Sequence, residues 1–423
     1  MGTKFKYLLC MLLLAAFPAW SADTGHLPGA DVEELLALAQ ARNPELATMR
    51  HEAAAAAERV DSASALPDPS FRIALQDFTN KASGAGTTLL PSEVGSTYYR
   101  LMQPLPFWGK RELKRDIAEA ETSQAKGRTG ETWAELAAKI KTDFAQYYLV
   151  VNSQKLTQEM LALTLNLERI AQSRYATGLA PQQDVIRAQV EQTGLRRDLV
   201  TLETERHHSM TRLNILLLRD PNAVLADPQR LRSLPAPAKL QFSALSERLR
   251  NHNPQLYTLQ AQLTAADKKR ELVYKNRYPD FSVGVAATQA GNEIKMWELM
   301  VEFNIPLQQG SRRVQEREAE NMLAAAQSRK DAAANQLQGE LAEYSVALDA
   351  AQQVETINTS SLLPQAEATL QAAYVGYQNG KVDFATLLDA QRQILKAKLD
   401  VLTAQAQAQT SLAQIEQLLG EEL

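Results

Sequence analysis

The chain holds almost no cysteine: Cys10 is the only one in 423 residues. It sits inside the apolar stretch 7–17, which follows Lys4 and Lys6 and precedes the small residues Ala19 and Ser21. Charged, then apolar, then small is the order of a secretory signal peptide, so residues 1–22 are expected to be removed on export. The stretch is too short to cross a bilayer as a helix. Leu9, not a small residue, stands before Cys10, so lipid attachment there is not expected. Without that segment no thiol remains, which excludes disulfides and thiolate metal sites.

Other shortages exclude further classes. Beyond the first stretch, no apolar run reaches the ~18 residues of a spanning helix. Charge is nearly balanced, with 45 basic and 49 acidic residues and a net charge of −4, so no nucleic-acid footprint exists. Histidines number five. His207-His208-Ser209-Met210 is the only soft-ligand cluster, and adjacent helical side chains point in different directions. No nucleophile–base pair and no phosphate-cradling glycine loop is present, so no catalytic residue, metal or cofactor is expected and the chain reads as a non-enzyme. Aromatics are only 6% of the chain, while Ala, Leu, Gln and Glu abound. That is the composition of long packed helices, coiled-coil in character.

What is there is a repeat. Asn43-Pro44-Glu45-Leu46 returns as Asn253-Pro254-Gln255-Leu256, and Pro69-Ser70-Phe71 returns at the same offset as Pro279-Asp280-Phe281. Gly109 with Arg111 answers Gly310 with Arg312, and Tyr175 with Gly178 answers Tyr377 with Gly380, at a smaller offset. Register kept across prolines, strands and glycines argues for duplication. The drop in offset places extra residues of the first copy between Phe71 and Gly109. Residues 79–96, with Ser83-Gly84-Ala85-Gly86 and Pro91, are the expected extracellular loop.

The first copy spans 23–218 and the second 242–423, joined by a proline-punctuated linker over 219–241 expected at an equatorial position. In each copy a helix over 31–65 or 242–277 leads to two strands, about 69–78 and 96–105 or 279–288 and 294–305. A very long helix follows, about 110–177 or 311–379, then a tight turn and a return helix over 182–218 or 383–418. A helix of that length extends on the order of 100 Å. Shorter helices stacked end to end match it, giving four antiparallel columns per chain. Pro364, inside the second long helix, is expected to kink or break it. The fold class is therefore mainly α with a small β part, a duplicated helix–strand–strand–helix–helix unit.

The strands alternate. Trp297, Leu299, Val301, Phe303 and Ile305 share one face, and Glu298, Met300, Glu302 and Asn304 the other. Phe281, Val283 and Val285 repeat the pattern. Strands of about ten residues suit a tilted outer-membrane wall. Tyr98, Tyr99, Trp108, Phe281 and Trp297 crowd the strand ends as interfacial aromatics do. Four strands cannot close a barrel, and lipid tolerates no open edge, so several chains must share one. Three chains give twelve strands, compatible with closure.

This plan resembles the TolC-like outer-membrane efflux factors across nearly all the exported chain, roughly 31–420. The residues carrying the resemblance are Pro67-Asp68-Pro69, Pro104-Leu105-Pro106-Phe107-Trp108-Gly109-Lys110-Arg111, Arg174-Tyr175-Ala176-Thr177-Gly178 and Leu387-Leu388-Asp389-Ala390-Gln391-Arg392. The resemblance implies a homotrimer with a shared 12-stranded transmembrane β-barrel and a periplasmic α-barrel. It also implies an outer-membrane location in lipid and service to an inner-membrane RND pump through a periplasmic adaptor, the membrane fusion protein. The strand-flanking motifs look most like the branch serving heavy-metal RND pumps. Heavy-metal cations are thus the expected cargo, with drugs or other small toxic compounds as the alternative. Of the non-channel alternatives, a periplasmic adaptor should carry one hairpin with compact β domains, and a helical scaffold leaves the strands unexplained.

Gly178 and Gly380 mark the helix turns expected at the periplasmic mouth. Asp383 fits a helix cap or a pore-facing carboxylate, with Asp389, Tyr377 and Lys381 near it. Arg174 and Arg187, on the matching turn of the other copy, are the expected latch partners.

Overall fold

The computed structural model describes residues 27–79, 84 and 86–423. The signal segment, Cys10, His26 and part of the expected 79–96 loop lie outside the described residues. The order is α1 Val32–Arg42, α2 Pro44–Ser64, β1 Ser70–Gln76, β2 Ser96–Leu105, α3 Lys110–Ala176 and α4 Gln182–Leu216. The same order then returns: α5 Phe242–His252, α6 Pro254–Lys275, β3 Phe281–Ala290, β4 Glu293–Phe303, α7 Gln309–Ile357, α8 Leu363–Gln378 and α9 Phe384–Leu419.

The single helices expected over 31–65 and 242–277 are each divided in two. Asn43 and Asn253 precede prolines, which disfavour helical backbone at the residue before them. Both sit extended, at ψ 121° and 122°. Each then caps the next helix, its side chain accepting from the backbone N–H of Leu46 at 3.1 Å or Leu256 at 2.7 Å. The missing proline N–H falls where the new helix has no partner for it.

Helix α3 runs 67 residues, on the order of 100 Å. It packs against α2 and α4, which lie along successive parts of its length, and against α6 and α9 from the second copy. The second long helix is broken where Pro364 forbids a regular ladder: a π turn, Asn358–Leu362, closes with the Leu363 N–H donating to the Asn358 carbonyl.

Buried residues form separate clusters along the columns. One joins α1, α3 and the end of α4 around Leu35, Ile140, Phe144, Tyr147 and Leu213. A second joins α5, α7 and α9 around Leu245, Leu341 and Ile415. A third lies under the helix turns, around Leu167, Phe384 and Leu387. Beside the first, a buried ionic group pins the linker. The Lys141 ammonium, 5% exposed, lies 2.9 Å from Glu416 and 2.8 Å from Glu422. Arg232 of the linker holds Glu416 by two bonds, 3.2 and 2.8 Å.

The strands form one antiparallel sheet, ordered β1-β2-β3-β4. Its register aligns Phe71, Leu101, Val285 and Leu299 in one row, and Ile73, Tyr99, Ala287 and Trp297 in the next. That apolar face is bare: Trp297 is 70% exposed and Leu299 81%. The other face carries Arg72, Arg100 and Glu298 in one row, with Ser282 and Glu302 in another. Strands β1 and β4 are open edges, and no helix among the described residues is long and apolar enough to cross a membrane.

Candidate functional site at the helix turns

Helices α3 and α8 end in the same two-bond closure. At the first turn Gly178 N–H donates to Tyr175 at 2.9 Å and Leu179 N–H to Arg174 at 2.8 Å. At the second, Gly380 N–H donates to Tyr377 at 3.0 Å and Lys381 N–H to Gly376 at 2.9 Å. The closure requires a left-handed residue, and the two glycines take φ of 68° and 70°. The duplicated glycines are thus explained by backbone conformation.

Arg174 joins the two copies. Its Nη1 donates to the Gln378 carbonyl at 2.7 Å, and its guanidinium lies 5.1 Å from the Tyr377 ring centre. Its Nε is enclosed without a hydrogen-bond partner. The Tyr377 hydroxyl donates to Asp184 Oδ2 at 3.2 Å. Burial, then the neighbouring Asp184 charge, pushes the Tyr377 phenol up to about 12, so it stays a neutral donor at physiological pH. Tyr377 and Phe384 rings stand 5.2 Å apart over the third apolar cluster.

Asp383 caps α9, its Oδ1 accepting from Thr386 N–H at 2.8 Å. The hydrogen bonds from Thr386, and then the charge of Arg187, hold its carboxyl below the usual range. Asp389 lies apart from this group, exposed and 3.5 Å from Arg392 on the next turn of its own helix. Lys381 is exposed on the turn itself. Arg174 and Tyr377 are therefore in contact, Asp383 feels the charge of Arg187, and Asp389 and Lys381 stand outside.

Sequence reasoning missed three members. Asp184, in the first turn of α4, is the acceptor for Tyr377. Glu191 receives Arg392 Nε at 3.0 Å, a second tie between copies. Arg392 ends the Leu387–Arg392 motif, and its charge was the available signal. Of the strand aromatics, Trp108 packs 5.3 Å from Phe281, whereas Tyr98 lies on the polar face with its hydroxyl 3.4 Å from Glu298. The Tyr99 hydroxyl donates to Gln289 at 3.0 Å. Among the described residues, no group of three His, Cys, Asp or Glu side chains is arranged to hold a metal.

A bare apolar sheet carried on long helix columns, with turns bolted copy to copy, is the architecture of a membrane channel protein. The chain belongs to the outer membrane efflux protein family, whose model matches residues 35–217 and again 245–421. It is a transport channel of the outer membrane extending into the periplasm, not an enzyme. No curated protein sequence matches it. Its fold is similar to that of the outer-membrane channel OprN, with TM-score 0.75 and 18% identity over 94% of this chain and 93% of that one. VceC from Vibrio cholerae gives TM-score 0.76 and 17% identity over 92% and 96%. CusC, described for conformational changes accompanying folding and transmembrane channel formation, gives 0.73 and 17% over 93% of each.

Proposed function

We propose that three copies of this chain share a twelve-stranded barrel and form a passive duct. In this reading the duct receives heavy-metal cations from an inner-membrane pump through a periplasmic adaptor. One observation carries the assembly: a sheet of four strands with a bare apolar face and two open edges. In lipid the unpaired N–H and C=O groups of β1 and β4 need partners, and only further copies in a closed ring supply them. The mass of the detergent-solubilised protein by light scattering is expected to equal three chains, and a stable monomer would refute the assembly. The metal cargo rests on the strand-flanking motifs. A deletion strain sensitive to drugs but not to metal salts would favour the alternative cargo.

In this reading, with repeats over 23–218 and 242–423, both turns stand at the periplasmic mouth and the linker 219–241 at the equator. The second turn gates the mouth. Three-fold symmetry brings three copies of Asp383 towards the axis as a carboxylate ring that attracts cations. Arg174, with Tyr377, is the latch, and Arg187, Lys381 and Asp389 tune the local charge. Hairpin tips are held only by neighbouring tips, so opening there costs least. In planar bilayers, Asp383→Ala is expected to reduce cation selectivity, and Arg174→Ala to raise resting conductance several-fold. Unchanged selectivity and conductance in both variants would move the gate elsewhere along the tunnel.

A further inference from the structure

We propose that the polar face of the sheet carries a site for soft monovalent cations, Cu+ or Ag+, built from the thioethers of Met102 and Met300. This rests on the duct reading above, in which that face lines the lumen, and it names the class of metal cargo.

The chain has nine methionines, and the three on strands, Met102, Met296 and Met300, all lie on the polar face. Met102, Gly284 and Met300 form one row across β2, β3 and β4. Gly284 leaves the middle of that row open. A Cβ there would stand 2.2 Å from the Met102 sulfur, so the glycine leaves room for that thioether to lie over β3 towards Met300. The Met102 side chain is accordingly enclosed, at 3% exposure. From β2 the Tyr98 hydroxyl reaches across to the Met300 sulfur at 3.3 Å.

Along β4 the lumen-side sequence reads Met296, Glu298, Met300, Glu302, so soft and acidic groups alternate. Thioethers discriminate strongly: they suit Cu(I) and are poor ligands for hard cations, which prefer oxygen. The carboxylates of Glu298 and Glu302 supply the attracting charge. Arg72 and Arg100 share the face, and Arg100 lies 3.9 Å from Glu302, which offsets that attraction. A duct needs this balance, since an ion must bind well enough to enter and weakly enough to leave. A filler role would need only bulk, which Leu supplies as well, and it would not call for the Met300 sulfur beside a phenol on a strand face that also carries Glu298 and Glu302.

The test is silver binding to the detergent-solubilised full-length protein by calorimetry in nitrate buffer. The wild type is expected to bind Ag+ and not Na+. Met→Leu preserves volume, so Met102→Leu/Met300→Leu should keep the assembly and lose at least about tenfold in affinity. Should the double variant not fold, Met300→Leu alone and the shift of the wild-type sulfur X-ray absorption edge on adding Ag+ decide the question. No Ag+ binding by the wild type, or equal affinity without the two sulfurs, overturns the site. Metal tolerance of a deletion strain is scored separately. Metal sensitivity with sulfur-independent binding overturns the site alone. Sulfur-dependent binding in a chain whose loss leaves metal tolerance unchanged upholds the site and overturns the metal cargo.

Discussion

Replacing Glu416 with Leu is expected to destabilise the folded protein by about 3–5 kcal/mol, because it removes the shared carboxylate of a buried charge group and leaves two cations short of a partner. Lys141 would keep only Glu422, and Arg232 would lose both its bonds to Glu416. Lys141→Met in the same chain should recover part of the loss, since the more deeply buried of the two remaining cations is then gone. The effect has a pH signature. Glu416 is pushed up by burial but pulled further down by Arg232 and Lys141, so its carboxyl titrates below the ordinary 4.5. A carboxylate lowered in the folded state contributes fully above its unfolded value, and that contribution is lost as pH falls through the folded one. Denaturant unfolding from pH 7 down to pH 3 should therefore show an acid limb in the wild type that is shallower in Glu416→Leu. Equal limbs would mean that the linker is held by packing alone.

Leu299→Arg is expected to cost about 2–4 kcal/mol and to abolish membrane assembly, as a cation does near the middle of a lipid-facing strand. Leu299 is near the centre of β4, on the apolar face beside Val285. Thr288→Lys, on the opposite face, should assemble. Outer-membrane fractionation with heat-modifiability on gels reads both variants. If the apolar face were an ordinary solvated surface, Leu299→Arg would be neutral, and the reverse ranking would mean that the two faces had been exchanged.

Much of this molecule is legible in its sequence. The Asn-Pro pairs, the strand alternation and the glycine turns each act through a local rule, namely proline sterics, period two or positive φ. The break near Pro364 was equally readable. The division of the 31–65 and 242–277 helices was not, although its signal was present. An Asn before Pro both stops one helix and caps the next, and the apolar periodicity resumes across the gap as though unbroken.

The gate residues divide along the same line. Arg174 and Tyr377 stood out through the repeat, because duplication marks positions even when their partners are unknown. Asp184, Glu191 and the Lys141–Glu416–Arg232 group did not, because each links segments far apart in the chain. A charged residue on a helix reads as solvated until a second helix covers it. The sequence by itself determined the repeated motifs, the helix and strand types and the greasy and wet faces, all of which depend on patterns read along the chain. Only the tertiary structure decided which charges are buried, which side chain holds which turn, and that the Met102 thioether lies over Gly284, because burial and contact depend on packing between distant segments.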